Sequence, residues 1–328
     1  MIDSRGRTID YLRISVTDRC NLRCVYCMPE NGVPALSHTE ILTYEEIVRI
    51  VKAGAGLGIK KIKLTGGEPL VRKDLAQLAA WIKQVPGIES VTITTNGILL
   101  ERQLKDLVNS GIDGINISLD TLDASAYEKI TRRGHLQDVL CGLKAAVNSP
   151  RSLNVKINCV PIENDPDHLL AMAGLAQRHP VHVRFIEMMP VGLGKNFDFV
   201  SESQILEILI PAFGNPSPVT DPLGNGPCHY YSFPGFSGKI GFISAISHQF
   251  CDQCNRVRLT ADGFLKTCLQ YDTGINLKTL LRNGCNDDEL SHAFQAAINS
   301  KPKAHHFGQE TRSPGEKDET LSMFQIGG

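Results

Sequence analysis

Three cysteines stand within eight residues in the stretch RISVTDRCNLRCVYCMPE. Cys20, Cys24 and Cys27 have the spacing C-x3-C-x2-C, which a loop can wrap around one iron–sulfur cube. Three thiolates leave one iron of a [4Fe–4S] cluster without a protein ligand, so that iron is free to bind a small molecule. A zinc site would instead want a fourth Cys or His nearby. His38, the candidate for that ligand, is distant in the sequence.

A second group of three cysteines has the spacing C-x2-C-x13-C and consists of Cys251, Cys254 and Cys268. A zinc ribbon remains an alternative here if Cys285 or His248 supplies the fourth ligand. The cysteines without such spacing are predicted to be ordinary thiols: Cys141, Cys159, Cys228 and Cys285.

Length and composition set the class of protein. The chain has 328 residues, of which 42% are hydrophobic, and ten cysteines. It contains no apolar run near the roughly 18 residues that cross a bilayer. We therefore expect a globular protein of the cytoplasm. Because thiols stay reduced in that compartment, the cysteines are expected to serve metal or redox chemistry. The net charge of −1 means that phosphates must be bound by local basic clusters, and no nucleic-acid or membrane partner is expected.

Six short β-type runs alternate with helical patterns over the first 190 residues. The runs are residues 11–16, 61–64, 91–95, 114–119, 155–160 and 181–186. The helical patterns are residues 44–57, 73–84, 99–109, 136–148 and 167–178. This alternation predicts an α/β fold with parallel strands, and six units form a partial βα barrel or open sheet rather than a closed eight-stranded barrel.

The rhythm breaks after residue 200. Shorter β-like runs at 239–245 and 257–260 precede helical stretches at 277–283 and 287–300. We expect residues 1–200 to form the partial-barrel core and residues 201–300 to form a C-terminal region that covers its open side. Residues 301–328 are expected to be an extended tail that ends in Gly-Gly.

Polar, glycine-bearing segments follow most of the predicted strands. They include TGGEP at 65–69, TTNG at 94–97, SLD at 118–120 and EMMPVG at 187–192. Because the carboxyl ends of the strands in an αβ barrel share one face, these segments predict a reaction cavity there.

The first cysteine motif, with Tyr26 before its last cysteine, resembles the signature of the radical S-adenosylmethionine (SAM) enzymes. The glycine-rich motif that accompanies it in those enzymes is present as GGEP at residues 66–69. The resemblance implies a [4Fe–4S] cluster whose open iron chelates the methionine moiety of SAM. It further implies SAM ligands at Tyr26, Gly67, Ser118 and Met189.

The second cysteine set, the segment RFIEMMPVG and the terminal Gly327-Gly328 extend the resemblance over nearly the whole chain, to the GTP 3′,8-cyclase family. That family converts GTP to (8S)-3′,8-cyclo-7,8-dihydroguanosine 5′-triphosphate, the first step of molybdenum cofactor biosynthesis. In the implied reaction, SAM cleavage yields a 5′-deoxyadenosyl radical, which removes hydrogen from C3′ of GTP, and C3′ then attacks C8 of guanine. A second [4Fe–4S] cluster, on Cys251, Cys254 and Cys268, would receive the guanine edge.

The resemblance also implies a set of GTP ligands. They are Arg13, Lys63, Thr94, Lys156, Arg256, Val257 and Arg258. The family usually has Arg where this chain has Lys63, so a bidentate contact becomes a point charge. Lys61 and Arg184 are additional basic candidates.

Partners follow from the same resemblance: GTP, an electron donor, and cyclic pyranopterin monophosphate synthase as the next enzyme of the pathway. The chain is expected to be a monomer or a homodimer. The family's diglycine tail is thought to reach into the active site, and Met323, Phe324 and Ile326 could anchor such a tail here.

Two rival functions remain. A radical SAM peptide-modifying enzyme with auxiliary clusters would usually carry more cysteines in its C-terminal region. A zinc-dependent nucleic-acid-binding module is suggested by Arg256 and Arg258 beside a C-x2-C, but the net charge and the 6% aromatic content do not favour it.

Overall fold

The computed structural model describes residues 1–221, 223–307 and 317–327. Its centre is a row of six parallel strands in chain order, each hydrogen-bonded to the next. The strands are β1 (Tyr11–Ser15), β2 (Lys61–Thr65), β3 (Ser90–Thr95), β4 (Gly114–Ser118), β5 (Asn154–Cys159) and β6 (His182–Ile186). Each begins and ends within one residue of its predicted bounds.

Helices connect these parallel strands, as the crossover between parallel neighbours requires. They are α1 (Tyr44–Gly56), α2 (Leu75–Lys83), α3 (Leu100–Asn109), α4 (Ala124–Thr131), α5 (Leu136–Val147) and α6 (Pro166–Arg178). Local signals explain several ends: Thr43 and Glu46 form a capping box on α1, and Asp165 caps α6. The sequence did not predict α4. Within the described ranges every helix is too short or too polar to cross a bilayer.

The C-terminal half contributes further elements. They are α7 (Glu202–Phe213), β7 (Ser217–Val219), β8 (His229–Ser232), β9 (Ile240–Ile243), β10 (Arg256–Leu259), β11 (Phe264–Lys266), β12 (Gly274–Asn276), α8 (Leu277–Arg282) and α9 (Asp287–Asn299). The sequence did not predict α7.

The C-terminal strands extend the six-stranded row at both edges. Strand β10 pairs in parallel with β1, and β9 pairs in parallel with β6. The result is a mixed sheet of twelve strands among the described residues, with β12 and β7 at its ends. The predicted α/β class and open partial barrel are confirmed, and the C-terminal region meets the core by direct strand pairing.

Side chains of the parallel strands alternate between two environments. Leu12 and Ile14 of β1 are fully buried in the hydrophobic core, whereas Arg13 between them lines a cavity. Because successive strand residues point to opposite faces, each strand sends one row of apolar side chains to the core and one polar row inward. The inward rows build the site described below.

Close packing of α5 fixes the loop that follows β3. A Cβ added at Gly142 of α5 would lie 2.6 Å from the carbonyl oxygen of Gly97 and 3.1 Å from Cβ of Leu100. Gly97 lies two residues after β3, the strand that carries Thr94, a predicted GTP ligand. Gly142 is therefore required by a backbone contact, although glycine weakens a helix.

We predict that Gly142→Ala lowers the stability of the chain by about 1 to 3 kcal/mol, as overpacked sites do. Gly56→Ala in α1 is the matched control, because nothing lies within 4 Å of its added Cβ. That control should be unchanged or more stable by up to about 1 kcal/mol. Urea unfolding followed by circular dichroism measures both, and a Gly142→Ala variant as stable as the control would contradict the close contact.

Candidate functional site

A cavity of about 250 Å³ opens where β1 to β6 end. Its walls come from the loop after β1, the GGEP loop after β2, and the segments after β3, β4 and β6. The predicted site residues that line it are Cys20, Cys24, Tyr26, Cys27, Gly67, Ser118 and Met189, together with Arg13, Thr94, Arg256 and Arg258. The structure therefore brings the first cysteine set and all the predicted SAM ligands into one space.

The first cysteine loop is held by backbone contacts. Arg23 N donates to the carbonyl oxygen of Thr131, and Val25 N donates to that of Ile130, at the end of α4. The Arg23 guanidinium folds back onto the carbonyl oxygen of Cys20 at 2.8 Å. The loop is thus held against the end of α4, one of the two helices that sequence reasoning missed.

The three thiols of this loop share a buried environment. Burial raises the pKa of Cys20 to about 11 and that of Cys27 to about 12. Burial also raises the pKa of Cys24 well above its usual value, and the neighbouring Cys27 adds to the shift. Burial thus favours the protonated form of these thiols in the absence of metal. Metal binding would release the protons, because a metal binds the thiolate.

The three cysteines of this loop could hold a [4Fe–4S] cube. In the described part of the chain, no three His, Cys, Asp or Glu side chains converge on a point where one metal ion could sit. In a [4Fe–4S] cube the thiolates bind different irons, so their sulfur atoms do not need to meet at one point.

The GGEP loop is joined to the cysteine loop by close backbone contact. Gly67 N donates to the carbonyl oxygen of Thr17 at 2.8 Å, and Glu68 N donates to that of Arg19 at 2.8 Å. A Cβ at Gly67 would lie 2.4 Å from the Arg19 carbonyl oxygen. Glycine is required at this position because any side chain would push the two loops apart.

Glu68 ties this loop to the next strand. Its carboxylate accepts hydrogen bonds from Thr95 Oγ1 at 2.8 Å, Asn96 N at 2.6 Å and Leu70 N at 2.9 Å. Burial raises the pKa of Glu68 to about 7. The sequence indicated the GGEP motif but not this positioning role, since the partners lie 27 and 28 residues away.

Asp120, after β4, positions Tyr26. Tyr26 OH donates to Asp120 Oδ2 at 2.6 Å, and Val160 N donates to Oδ1 at 2.9 Å. Burial raises the pKa of Asp120 to about 6. The SLD segment was the sequence signal for this residue, although it did not reveal the partner.

A second cavity of about 150 Å³ adjoins the first and is basic. Arg13, Thr94 and Arg256 line both cavities. The further cations that line it are Lys63, Lys156 and Arg184. The two cavities therefore form neighbouring parts of one site.

Strand register places these cations side by side. Lys63 of β2 is opposite Arg13 of β1, which is opposite Arg258 of β10. Lys63, Lys156, Arg184 and Arg258 are each at most 9% exposed. The guanidinium Nε atoms of Arg184, Arg256 and Arg258 are buried and have no hydrogen-bond partner in the described chain.

The pKa values of this group reflect burial and mutual repulsion. Burial, then Arg184 and Arg13, hold the pKa of Lys63 well below its usual value. Burial and Arg184 lower the pKa of Lys156 to about 8. Burial and neighbouring arginines lower that of Arg258 to about 9. An anionic ligand would balance the charge of these cations and would accept hydrogen bonds from the unpartnered Nε–H groups.

Two candidate residues for the GTP site, Val257 and Lys61, line neither cavity. The side chain of Val257 is 1% exposed and packs in the hydrophobic core. Lys61 Nζ pairs with Asp10 Oδ2 at 2.8 Å and lines neither cavity.

The second cysteine set lies at the other end of the same strands. Cys251 and Cys254 come just before β10, and Cys268 follows β11, which pairs antiparallel with β10. Since β10 runs parallel to β1, this end is opposite to the end at which β1 delivers Cys20. Burial opposes ionisation of Cys254, but Lys301, Arg256 and Arg258 lower its pKa to about 6.

The end of the chain enters the main cavity. Met323 and Phe324 line it, and Ile326 packs with Val191 and Leu269. The carbonyl oxygen of Gly327 accepts hydrogen bonds from Arg13 Nη2 at 3.2 Å and Thr65 Oγ1 at 3.4 Å. Gly328 lies outside the described residues.

Comparisons with known proteins agree with this arrangement. The family model described as Radical SAM superfamily matches residues 14–175, and that described as Molybdenum Cofactor Synthesis C matches residues 181–307. The crystal structure of Streptococcus suis SuiB bound to S-adenosylmethionine has a TM-score of 0.62 at 15% identity, covering 88% of this chain and 68% of that chain. At this identity the likeness concerns the fold alone.

Full-length relatives are more specific. The GTP 3′,8-cyclase of Clostridium perfringens (strain SM101 / Type A) is 45% identical over 330 residues, covering 100% of both chains. That of Syntrophomonas wolfei is 45% identical over 334 residues, again with 100% of both chains covered. The chain belongs to the GTP 3′,8-cyclase family of the radical SAM superfamily.

Proposed function

We propose that this chain uses SAM to convert GTP to (8S)-3′,8-cyclo-7,8-dihydroguanosine 5′-triphosphate, the first step of molybdenum cofactor biosynthesis. The observation that supports this most directly is the pairing of two cavities that share Arg13, Thr94 and Arg256. One is lined by Cys20, Cys24, Cys27 and the GGEP loop, and the other by buried cations. A triphosphate fits the second cavity better than a neutral peptide would.

Cys20, Cys24 and Cys27 would hold the first [4Fe–4S] cluster. When bound, this cluster supplies the electron that cleaves SAM and so generates the radical that removes hydrogen from C3′ of GTP. The chain's part is to bind and orient the two substrates. Gly67 offers backbone to the amino group of SAM, while Tyr26, Ser118 and Met189 line the space for the rest of the molecule.

Arg13, Lys63, Thr94, Lys156, Arg256 and Arg258 would bind GTP, with Arg184 as an added ligand. The triphosphate carries about four negative charges, and guanidinium N–H groups match its oxygens in pairs. Val257 belongs to this proposal only as part of the backbone between Arg256 and Arg258, because its side chain is in the core.

Cys251, Cys254 and Cys268 would hold a second [4Fe–4S] cluster that receives the guanine edge. Since the two cysteine sets lie at opposite ends of β1 and β10, GTP would sit between the clusters. Its phosphates would contact the cation row, which is the in-register set Arg258, Arg13 and Lys63. We also propose the predicted division of the chain, with residues 1–200 as the core, 201–300 as the cluster-binding region and 301–328 as the tail.

The wider setting is part of the same proposal. The enzyme would work in the cytoplasm, where thiols stay reduced, as a monomer or homodimer. It would receive electrons from a separate donor and pass its product to cyclic pyranopterin monophosphate synthase.

An anaerobic assay of reconstituted protein with GTP, SAM and reductant tests the function. We expect the cyclised nucleotide in the wild type and no SAM cleavage in Cys20→Ser, which removes one of three ligands of the first cluster. Cys251→Ser should still cleave SAM without coupling to GTP, yet form no cyclised product. Chromatography with mass detection follows both products.

Cys141→Ser is the matched control, since that thiol belongs to neither set, and it should behave as the wild type. Absence of the cyclised nucleotide in active wild-type preparations would refute the function. Equal loss of SAM cleavage in folded Cys20→Ser and Cys251→Ser would refute the division of labour between the sets.

A second prediction concerns the two arginines of β10 that line the main cavity. Arg256→Ala and Arg258→Ala should each weaken GTP binding by about 10- to 100-fold, since a charge-assisted hydrogen bond is worth roughly 1.5 to 3 kcal/mol. SAM binding should change little. Lys60→Ala is the control, because that exposed lysine pairs with Glu89 away from both cavities. Isothermal titration measures the affinities, and unchanged GTP affinity in both arginine variants would show that the segment is misassigned.

A third prediction concerns the tail. Deleting Gly327 and Gly328 should suppress GTP cyclisation, because the Gly327 carbonyl oxygen contacts Arg13, a proposed substrate ligand. Thermal unfolding and iron content should stay near wild type, since Phe324 and Ile326 keep the tail anchored. Thr320→Ala, an exposed tail position, is the control. Undiminished turnover in the truncated enzyme would leave the diglycine without a working role.

A further inference from the structure

Arg7 is a buried arginine near the N-terminus whose contacts lie at the far end of the chain. It is 7% exposed, and its Nε donates to Asp3 Oδ2 at 2.7 Å. Its Nη1 atom donates to the carbonyl oxygens of Cys251 at 3.1 Å and Lys303 at 3.0 Å. Its Nη2 atom donates to those of Pro302 at 2.9 Å and Lys301 at 3.4 Å. One guanidinium therefore joins the second cysteine set to the segment after α9.

Lys301, in that segment, is itself buried, at 4% exposure. Its Nζ donates to the carbonyl oxygen of Arg256 at 2.9 Å and to that of Thr267. Arg256 lies two residues after Cys254, and Thr267 immediately precedes Cys268. Lys301 therefore contacts the backbone after Cys254 and before Cys268, two positions that Arg7 does not contact.

A direct contact to sulfur completes the set. His305 N donates to Cys251 Sγ at 3.4 Å, and His305 follows the residues whose carbonyl groups Arg7 binds. Cys251 and Cys254 lie on a single 3-10 turn rather than in a long helix or strand. Regular secondary structure alone does not fix the positions of these sulfur atoms.

Burying two cations is costly unless hydrogen-bond acceptors surround them. Here the acceptors are mainly backbone carbonyl groups of the cysteine loops and of residues 301–303. The cost is offset only when those loops adopt the observed geometry. The cations therefore favour one arrangement of the three cysteines.

We propose that Asp3, Arg7 and Lys301 form a buried brace that sets the spacing of Cys251, Cys254 and Cys268 for cluster binding. This rests on the proposed function, which assigns the second [4Fe–4S] cluster to those cysteines. Asp3 and Arg7 are positioning residues, because they act on the cluster through the backbone of the cysteine loops. Lys301 acts through that backbone too and also lies beside the Cys254 side chain. The first seven residues of the chain thereby serve a site built by its last third.

The test uses full-length Arg7→Met and Lys301→Met proteins reconstituted anaerobically without substrate. Wild type should hold about eight irons per chain, and each variant about four, the content of one cube. Electron paramagnetic resonance should show the SAM-responsive signal of the first cluster retained and the GTP-responsive signal lost. Uncoupled SAM cleavage should persist. Arg7→Lys should recover part of the second signal, because it keeps the charge but reaches fewer carbonyl groups.

Matched controls are Arg5→Met and Lys303→Met, whose side chains are exposed. Lys303→Met keeps the backbone carbonyl group that Arg7 binds, so both controls should keep about eight irons. If wild type itself holds one cluster, the second cluster of the proposed function fails. If wild type holds two and Arg7→Met and Lys301→Met also hold two, the brace alone is overturned. Loss of both clusters together, in the Met variants or in Arg7→Lys, also overturns it, because that result marks a general folding role.

Discussion

Arg258, Arg13 and Lys63 stand in register on three neighbouring strands, and the site depends on this row of like charges. Each cation repels the next, and burial removes the water that would screen them. Their neighbours Lys156 and Arg184 continue the positive field along β5 and β6. An anion bound among them would relieve the repulsion and would accept hydrogen bonds from the buried Nε–H groups of Arg184 and Arg258. These features support the proposal that the site binds a polyanion such as GTP.

The row of cations requires strands from both halves of the chain. Strand β10 belongs to the C-terminal half, yet it pairs with β1 and delivers Arg256 and Arg258 to the cavities. The apolar face of the strands packs in the core while the polar face lines the site. One pairing therefore fixes the core, the cation row and the relative position of the two cysteine sets.

Local patterns predicted most of the fold, and long-range contacts account for what they missed. The six core strands were predicted to within one residue because each is a short apolar run between turn signals. Helices α4 and α7 were missed, although α4 shapes the first cysteine loop through Thr131 and Ile130. Motif spacing indicated the cysteines, and the family resemblance indicated the role of the GGEP loop and most of the other cavity residues. Motif spacing did not indicate Glu68 or Asp120 as positioning groups, since their partners are distant in sequence and neither residue's type reveals them.

The charge state of Lys63 depends on the cations beside it. An arginine in this position would stay charged under all ordinary conditions, whereas a lysine shifts its pKa readily when it is buried. Burial and the adjacent arginines hold the pKa of Lys63 well below its usual value, because the charged form is costly among buried like charges. A bound polyanion favours the protonated form. A lysine at this position therefore offers a bound anion a point charge in place of a bidentate fork, at a site where the neighbouring cations make that charge costly without an anion.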